Sequence, residues 1–175
     1  MTNEVLETIK KRRSIRSYSE KPVEEEKLAA ILEAGTYAAT GMNRQSPVIV
    51  AVENKEDREI LRNLNAEIIG NPDSDPFYGA SVVVVVLADK NIRTHTEDGS
   101  LVIGNMMLAA ASLGVSSCWI HRAKETFERP EGKALLKKWG LSENLEGVGN
   151  CIFGYSAVPV PEARARKADY IKIVK

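Results

Sequence analysis

Residues 81–89 read Ser-Val-Val-Val-Val-Val-Leu-Ala-Asp. Valine is β-branched and favours extended backbone, and this run has no polar position on either alternating face. Such a segment reads as a central strand covered on both faces, because a half-exposed strand would alternate apolar with polar. The uninterrupted apolar stretch, Val82 to Ala88, is far too short to span a bilayer.

Working outward, Val48 to Val52, Val115 to Ile120 and Gly147 to Tyr155 read as further strands. Helical spacing places Val5, Leu6 and Ile9 on one face of residues 3–13, with acids early and bases late as the helix dipole favours. Pro22 leads into a second helix carrying Leu28, Ile31 and Leu32 on one face. A third spans Lys55 to Ile69 through Ile60, Leu61, Leu64 and Ile68. Asp98 to Leu113 is apolar almost all round, which predicts a buried helix ending at Gly114. Pro130 to Trp139 is a short helix, and the terminal Asp169 to Lys175 alternates like a short strand. The pattern gives about five helices and five strands in one domain over residues 1–175. Taken alone it suggests a parallel α/β sheet, and it leaves open an α+β sheet of mixed direction.

Composition narrows the function. The 24 Lys+Arg balance 24 Asp+Glu. A general nucleic-acid or membrane-surface binder needs a basic excess, so neither partner is expected. Cys118 and Cys151 lie far apart with no CxxC, which predicts neither a disulfide framework nor a zinc site and fits a reduced, cytoplasmic setting. The N-terminus interleaves apolar residues with charge, unlike a signal peptide. Two histidines leave little for His-based chemistry or a metal centre. GxGxxG, the P-loop, GxSxG and HExxH are all absent, so a nicotinamide would not be held by a Rossmann fingerprint.

Four clusters carry possible chemistry. Arg12, Arg13, Ser14 and Arg16 place three guanidiniums and a hydroxyl within five residues, a set that matches phosphate oxygens. Bases at a helix end also simply complement the dipole, but Arg16 lies beyond the helix. Arg164, Arg166 and Lys167 form a second basic segment, either a solvated face or a partner to the first around one anion. Thr40-Gly41-Met42-Asn43-Arg44-Gln45 combines small residues with amides that suit a heterocycle edge, and is otherwise a polar turn. Cys118-Trp119-Ile120-His121-Arg122 ends a strand, where ligands gather in open α/β sheets. There Cys118 reads as a small buried hydrophobe and His121 as a structural histidine.

In this order, RRSIRSY (12–18), ATGMNRQSP (39–47), FYGAS (77–81), NMMLAAASLGVSSCWI (105–120) and the terminal RARKADYIKIV resemble the shorter members of the nitroreductase family, over nearly the whole chain. The resemblance implies an α+β fold, a mixed and mostly antiparallel sheet between helices. It implies an intertwined homodimer with FMN at the subunit interface and NADH or NADPH as donor. Arg12 and Ser14 match phosphate positions with Arg13 beside them, and Arg16 matches a basic residue near the flavin pyrimidine edge. Arg164 and Arg166 match C-terminal phosphate contacts, with Lys167 as a close contender. Thr40, Gly41 and Asn43, with Asp98, match positions reaching the flavin from the other subunit. Trp119, Ile120 and His121 match the segment against the isoalloxazine, with the His121 amide facing N5. No side chain is assigned a catalytic role, since the flavin carries the chemistry. The implied activity is ping-pong reduction of small nitroaromatic or quinone-like acceptors. A reductive dehalogenase or dehydrogenase on the same scaffold, or a flavin-binding redox sensor or storage protein, are the alternatives. Two departures stand out: Ala39-Thr40 where the family often has Pro-Ser, and Gln45-Ser46-Pro47 where it often has Gln-Pro-Trp.

Overall fold

The computed structural model describes all 175 residues. Six helices and four strands follow one another as α1 (Glu4–Lys11), α2 (Glu25–Thr36), β1 (Val48–Val52), α3 (Lys55–Ile69), β2 (Val82–Asp89), α4 (His95–Ser112), β3 (Ser116–Ile120), α5 (Ala123–Glu128), α6 (Pro130–Lys138) and β4 (Leu145–Gly154). Local chemistry sets several boundaries. The Asn3 side chain accepts from the Leu6 amide at 2.9 Å and caps α1. Asn54 does the same for α3 through the Asp57 amide at 3.0 Å. Gly70, at φ 78°, closes α3 in the left-handed region that a side chain would strain.

The strands form one sheet in the order β1-β2-β4-β3, and every neighbouring pair is antiparallel. The parallel sheet suggested by pattern alone is therefore not formed, and the antiparallel sheet implied by the resemblance is. The reading of β2 as doubly covered still holds. Val83, Val85 and Leu87 enter one core with Leu61, Phe77, Phe127, Leu135 and Leu136. Val84, Val86 and Ala88 enter the other with Ile31, Val102, Ile103 and Met106. Helices on both faces, rather than strand direction, demand an all-apolar strand. Each fully buried valine contributes about 1.5–3 kcal/mol relative to exposure. α4 lies on the second face, burying Val102, Ile103, Met106 and Ala110 as expected, and starts at His95, earlier than the apolar run indicates.

Three further differences matter. β4 bulges at Val148, where Val86 pairs with Gly149 and Leu87 with Gly147. The helix α5, only six residues long, is too short for periodicity to announce it. The expected terminal strand is absent, and residues 157–175 run as an exposed arm with Ile171 80% and Ile173 77% accessible. An alternating pattern makes a strand only where a neighbour supplies the ladder, and the arm has no ladder partner in its own chain. No helix is long and apolar enough to cross a membrane.

Candidate functional site

Past α1 the chain turns extended at Arg12, with φ −54° and ψ 134°. The Ile15 amide donates to the Ser117 carbonyl at 3.1 Å, and Ser14 forms a parallel bridge with Ser117 at the edge of the sheet. Ile15 and Tyr18 are buried anchors at 3% and 9% exposure. Side chains alternate along extended backbone, so anchoring Ile15 turns Arg12, Ser14 and Arg16 toward the opposite side. There they line a groove of about 890 Å³ that also takes in Lys10, Arg13, Arg164 and Arg166. Six bases and a single acid, Glu162, border it. None of the six bases pairs with a carboxylate. A chain of zero net charge thus gathers one unneutralised positive field, and the two basic segments do converge. Lys167 is not among the residues lining this groove.

The groove's members are not equivalent. Arg13 folds back on α1, donating to the carbonyls of Lys10 at 2.6 Å and Arg12 at 2.7 Å, as a helix C-terminus invites. Arg12 donates to Ser14 Oγ at 3.5 Å, placing guanidinium and hydroxyl together. Arg13 Nε is buried without a partner, as is Ser117 Oγ in an adjoining cavity that Arg12 and Arg13 also line. Unpaired guanidiniums, a hydroxyl and an orphaned buried donor set suit a doubly charged phosphate. Arg16 also lies close enough to Cys118 to draw its thiol back down, although burial dominates and holds that thiol above its ordinary range. Cys118 is buried at 1% exposure, the small hydrophobe expected.

The Thr40–Gln45 loop is a second, separate structure; it does not line the arginine groove. Met42, Asn43 and Gln45 all hold positive φ, at 55°, 53° and 50°. Three such residues without a glycine's freedom cost energy and persist only under constraint. The constraint comes from α4. Asp98 is buried at 3% exposure and accepts from the Gly41 amide at 2.9 Å and from the Thr94 hydroxyl at 3.1 Å. Thr40 Oγ1 accepts from the Gln45 amide at 3.1 Å, closing the loop on itself. A Cβ on Gly41 would stand 2.3 Å from Thr94 Oγ1, so only glycine lets the backbone approach. Asp98, expected among the flavin contacts, holds the loop from within.

The third element is the turn after β3. Ile120 is buried, Trp119 half-buried and His121 exposed. Arg122 sits at φ 77°, again strained for a residue with a side chain. Neither the His121 nor the Arg122 amide donates to a group of this chain. Trp119 packs against the bare backbone of Gly149, where a Cβ would meet Nε1 at 2.5 Å. Sequence reasoning missed what lies beneath the turn: Asn65, Thr126 and Asn150, all fully buried. The one available signal was Asn150 itself, an amide inside the apolar run of β4.

Comparison with known proteins agrees with the geometry. The nitroreductase family profile matches residues 9–155. The chain is 36% identical to a nitroreductase with bound FMN from Bacteroides fragilis, with a TM-score of 0.91 and coverage of 99% of this chain and 100% of that one. A nitroreductase with bound FMN from Desulfitobacterium hafniense superposes with a TM-score of 0.89 at 25% identity, covering both chains in full at 100%. An Archaeoglobus fulgidus protein, whose name proposes NADH dehydrogenase or NAD(P)H nitroreductase activity, is 30% identical over 158 residues, which are 87% of this chain and 85% of that protein.

Proposed function

Because the chain belongs to the nitroreductase family, we propose that it is an FMN-dependent NAD(P)H oxidoreductase that reduces small nitroaromatic, quinone-like or related acceptors. The observation that carries this reading is the arginine groove: six bases without carboxylate partners at the place where the family resemblance puts a phosphate. FMN fits the residues present, since its phosphate answers the groove with the buried, unpartnered Arg13 Nε, and Ser117 Oγ is unpartnered in the adjoining cavity. When bound, FMN supplies the two-electron redox chemistry, and the protein supplies binding, orientation and electrostatics.

In this reading Arg12, Ser14, Arg164 and Arg166 hold the phosphate. Arg16 contributes a fixed positive charge at the pyrimidine edge, where it favours electron uptake. Trp119, Ile120 and His121 flank the ring, and the free amide of His121 serves N5. Thr40, Gly41 and Asn43 do not line the groove of their own chain. They contribute from a second copy, so the working unit is a homodimer with FMN between subunits. The exposed C-terminal arm and the apolar side chains Val5 and Ile9 of α1, 65% and 49% accessible, offer surface for that partner. No side-chain acid or base is required at the reacting atoms.

Purified protein should be yellow, and its flavin absorbance should bleach on adding NADH or NADPH and return with a nitroaromatic or quinone. Arg12→Ala combined with Arg166→Ala should strip the flavin. A colourless protein that FMN cannot reconstitute would overturn the reading, and full FMN occupancy in the double variant would overturn the phosphate assignment.

A further inference from the structure

We propose that the buried trio Asn65, Thr126 and Asn150 positions the His121–Arg122 turn against the cofactor ring, an inference that rests on the flavin reading above. The three residues come from α3, α5 and β4, and each is fully buried at 0% exposure. Amides and hydroxyls are costly in such a place unless they are used. Their use is mutual and directional. Asn65 Nδ2 donates to the Leu61 carbonyl at 2.9 Å and to Thr126 Oγ1 at 3.2 Å, which leaves its Oδ1 as an acceptor. Asn150 Nδ2 donates to that oxygen at 3.4 Å and to the His121 carbonyl at 3.5 Å. The Thr126 hydroxyl donates to the Arg122 carbonyl at 2.8 Å. Both carbonyls of the turn are therefore held by the trio.

A planar trans peptide sets its N–H opposite its C=O. Holding the His121 carbonyl inward turns the Arg122 amide away from the core. The Arg122 carbonyl takes the Thr126 hydroxyl as well as the Thr126 amide at 2.9 Å, and the two bonds together restrain a residue whose φ of 77° is strained. The Arg122 amide is free of partners in the chain, so the trio aims one donor that is available to a ligand, beside the equally free amide of His121.

Two further observations set the trio apart from ordinary core filling. Asn150 Oδ1 is buried with no partner, so this amide keeps an orphaned oxygen where its neighbours Cys151, Ile152 and Phe153 are apolar. The following helix is also seated on bare backbone from two sides. A Cβ on Gly147 would meet the Ala123 carbonyl oxygen at 2.3 Å, and one on Gly132 would meet the Thr126 carbonyl oxygen at 2.0 Å. Network and glycines together leave α5, and the turn before it, little freedom to move.

The test uses Thr126→Val and Asn150→Ala, with Thr126→Ser as the conservative control. In the FMN-free protein, hydrogen exchange of the residue-126 amide, which donates to the Arg122 carbonyl at 2.9 Å, should quicken by about tenfold in the first two variants and stay at the wild-type rate in Thr126→Ser. With FMN bound, the same two variants should keep wild-type FMN affinity while kcat with NAD(P)H falls about tenfold, KM moves little and the flavin midpoint potential shifts. Thr126→Ser should retain the wild-type potential and kcat. Unchanged exchange in both variants would overturn the proposal. So would quickened exchange with wild-type potential and kcat, which would make the trio a structural fastening only. Should Asn150→Ala not fold, Thr126→Val decides by the same readouts. Failure of the wild-type protein to bind FMN would instead bring down the flavin reading, while the exchange measurement still reports whether the trio holds the turn.

Discussion

The carboxylate of Asp98 accepts a hydrogen bond from the Gly41 amide at 2.9 Å, fastening the first turn of α4 to a loop 57 residues earlier in the chain. The loop fastened in this way holds three side-chain-bearing residues, Met42, Asn43 and Gln45, in left-handed backbone. Asp98→Ala leaves the Gly41 amide and the Thr94 hydroxyl without their acceptor, and should lower stability by about 1–3 kcal/mol. Asp98→Asn keeps the shape and one acceptor and should cost less. With the loop released, FMN affinity should fall in Asp98→Ala although Asp98 lies outside the arginine groove. Thermal unfolding and FMN titration check both, and wild-type affinity in a folded Asp98→Ala protein would count against a role for this loop.

A second carboxylate governs acid stability. Asp57 is buried at 3% exposure and accepts from Lys138 Nζ at 2.7 Å and Trp139 Nε1 at 2.8 Å, joining α3 to α6. The hydrogen bond from Lys138, followed by that from Trp139, holds its carboxyl below the ordinary value of 3.8 against the opposing effect of burial. The unfolded chain then binds the proton more readily than the folded one. The contribution to stability is complete above the ordinary value and is lost as pH falls through the lowered one. Urea unfolding between about pH 2 and pH 5 should show stability rising with pH, and Asp57→Asn should flatten that rise.

Gly147 is decided by space. Its missing Cβ is what lets β4 lie against the Ala123 carbonyl, the first residue of α5. Gly147→Ala should cost about 1–3 kcal/mol through overpacking against backbone that cannot yield like a flexible side chain. Chemical denaturation measures the loss, and a wild-type midpoint would show that α5 is less tightly seated than its contacts indicate.

The cysteines should be silent in the folded protein. Burial raises both thiols, Cys151 the more strongly, with Arg16 drawing Cys118 part of the way back. A thiol-reactive chromophore at neutral pH should therefore label neither until denaturant is added. Rapid labelling of the native chain would place Cys118 in a more open setting than its 1% exposure.

The residues explain which parts of this molecule could be read in advance. Val83 to Ala88 announced a strand between two cores because burial on both faces leaves no polar alternation, whichever way the neighbours run. Strand direction was not legible in the apolar pattern, since it depends on how α3 and α4 return the chain, and it was the family resemblance that implied a mostly antiparallel sheet. The convergence of Arg12 to Arg16 with Arg164 and Arg166 was legible as two clusters in a neutral chain, though only folding shows them in one groove. The identity of Asp98 was visible in the sequence, but its partner within the chain, the Gly41 backbone amide, was not. Asn65 and Thr126 carried no signal at all: a polar residue on a helix is unremarkable until the helix's inner face is known. The terminal alternation misled for the opposite reason, a strand pattern with no neighbour in its own chain.

The pairing of Ser14 with Ser117 gives the arginine segment a second duty. β3 is the last strand of the sheet, and an uncovered outer strand invites another chain to pair with it. Ser14 and Ile15 meet that border at Ser117, and Tyr18 then bridges Ser156 past the end of β4. The stretch that carries Arg12 and Arg16 into the groove thus also occupies the outer side of β3 at Ser117. A substitution that loosened it, such as Ile15→Asp, would weaken ligand capture and promote self-association at once. The two defects should appear together, because one run of backbone carries the arginines and pairs with Ser117.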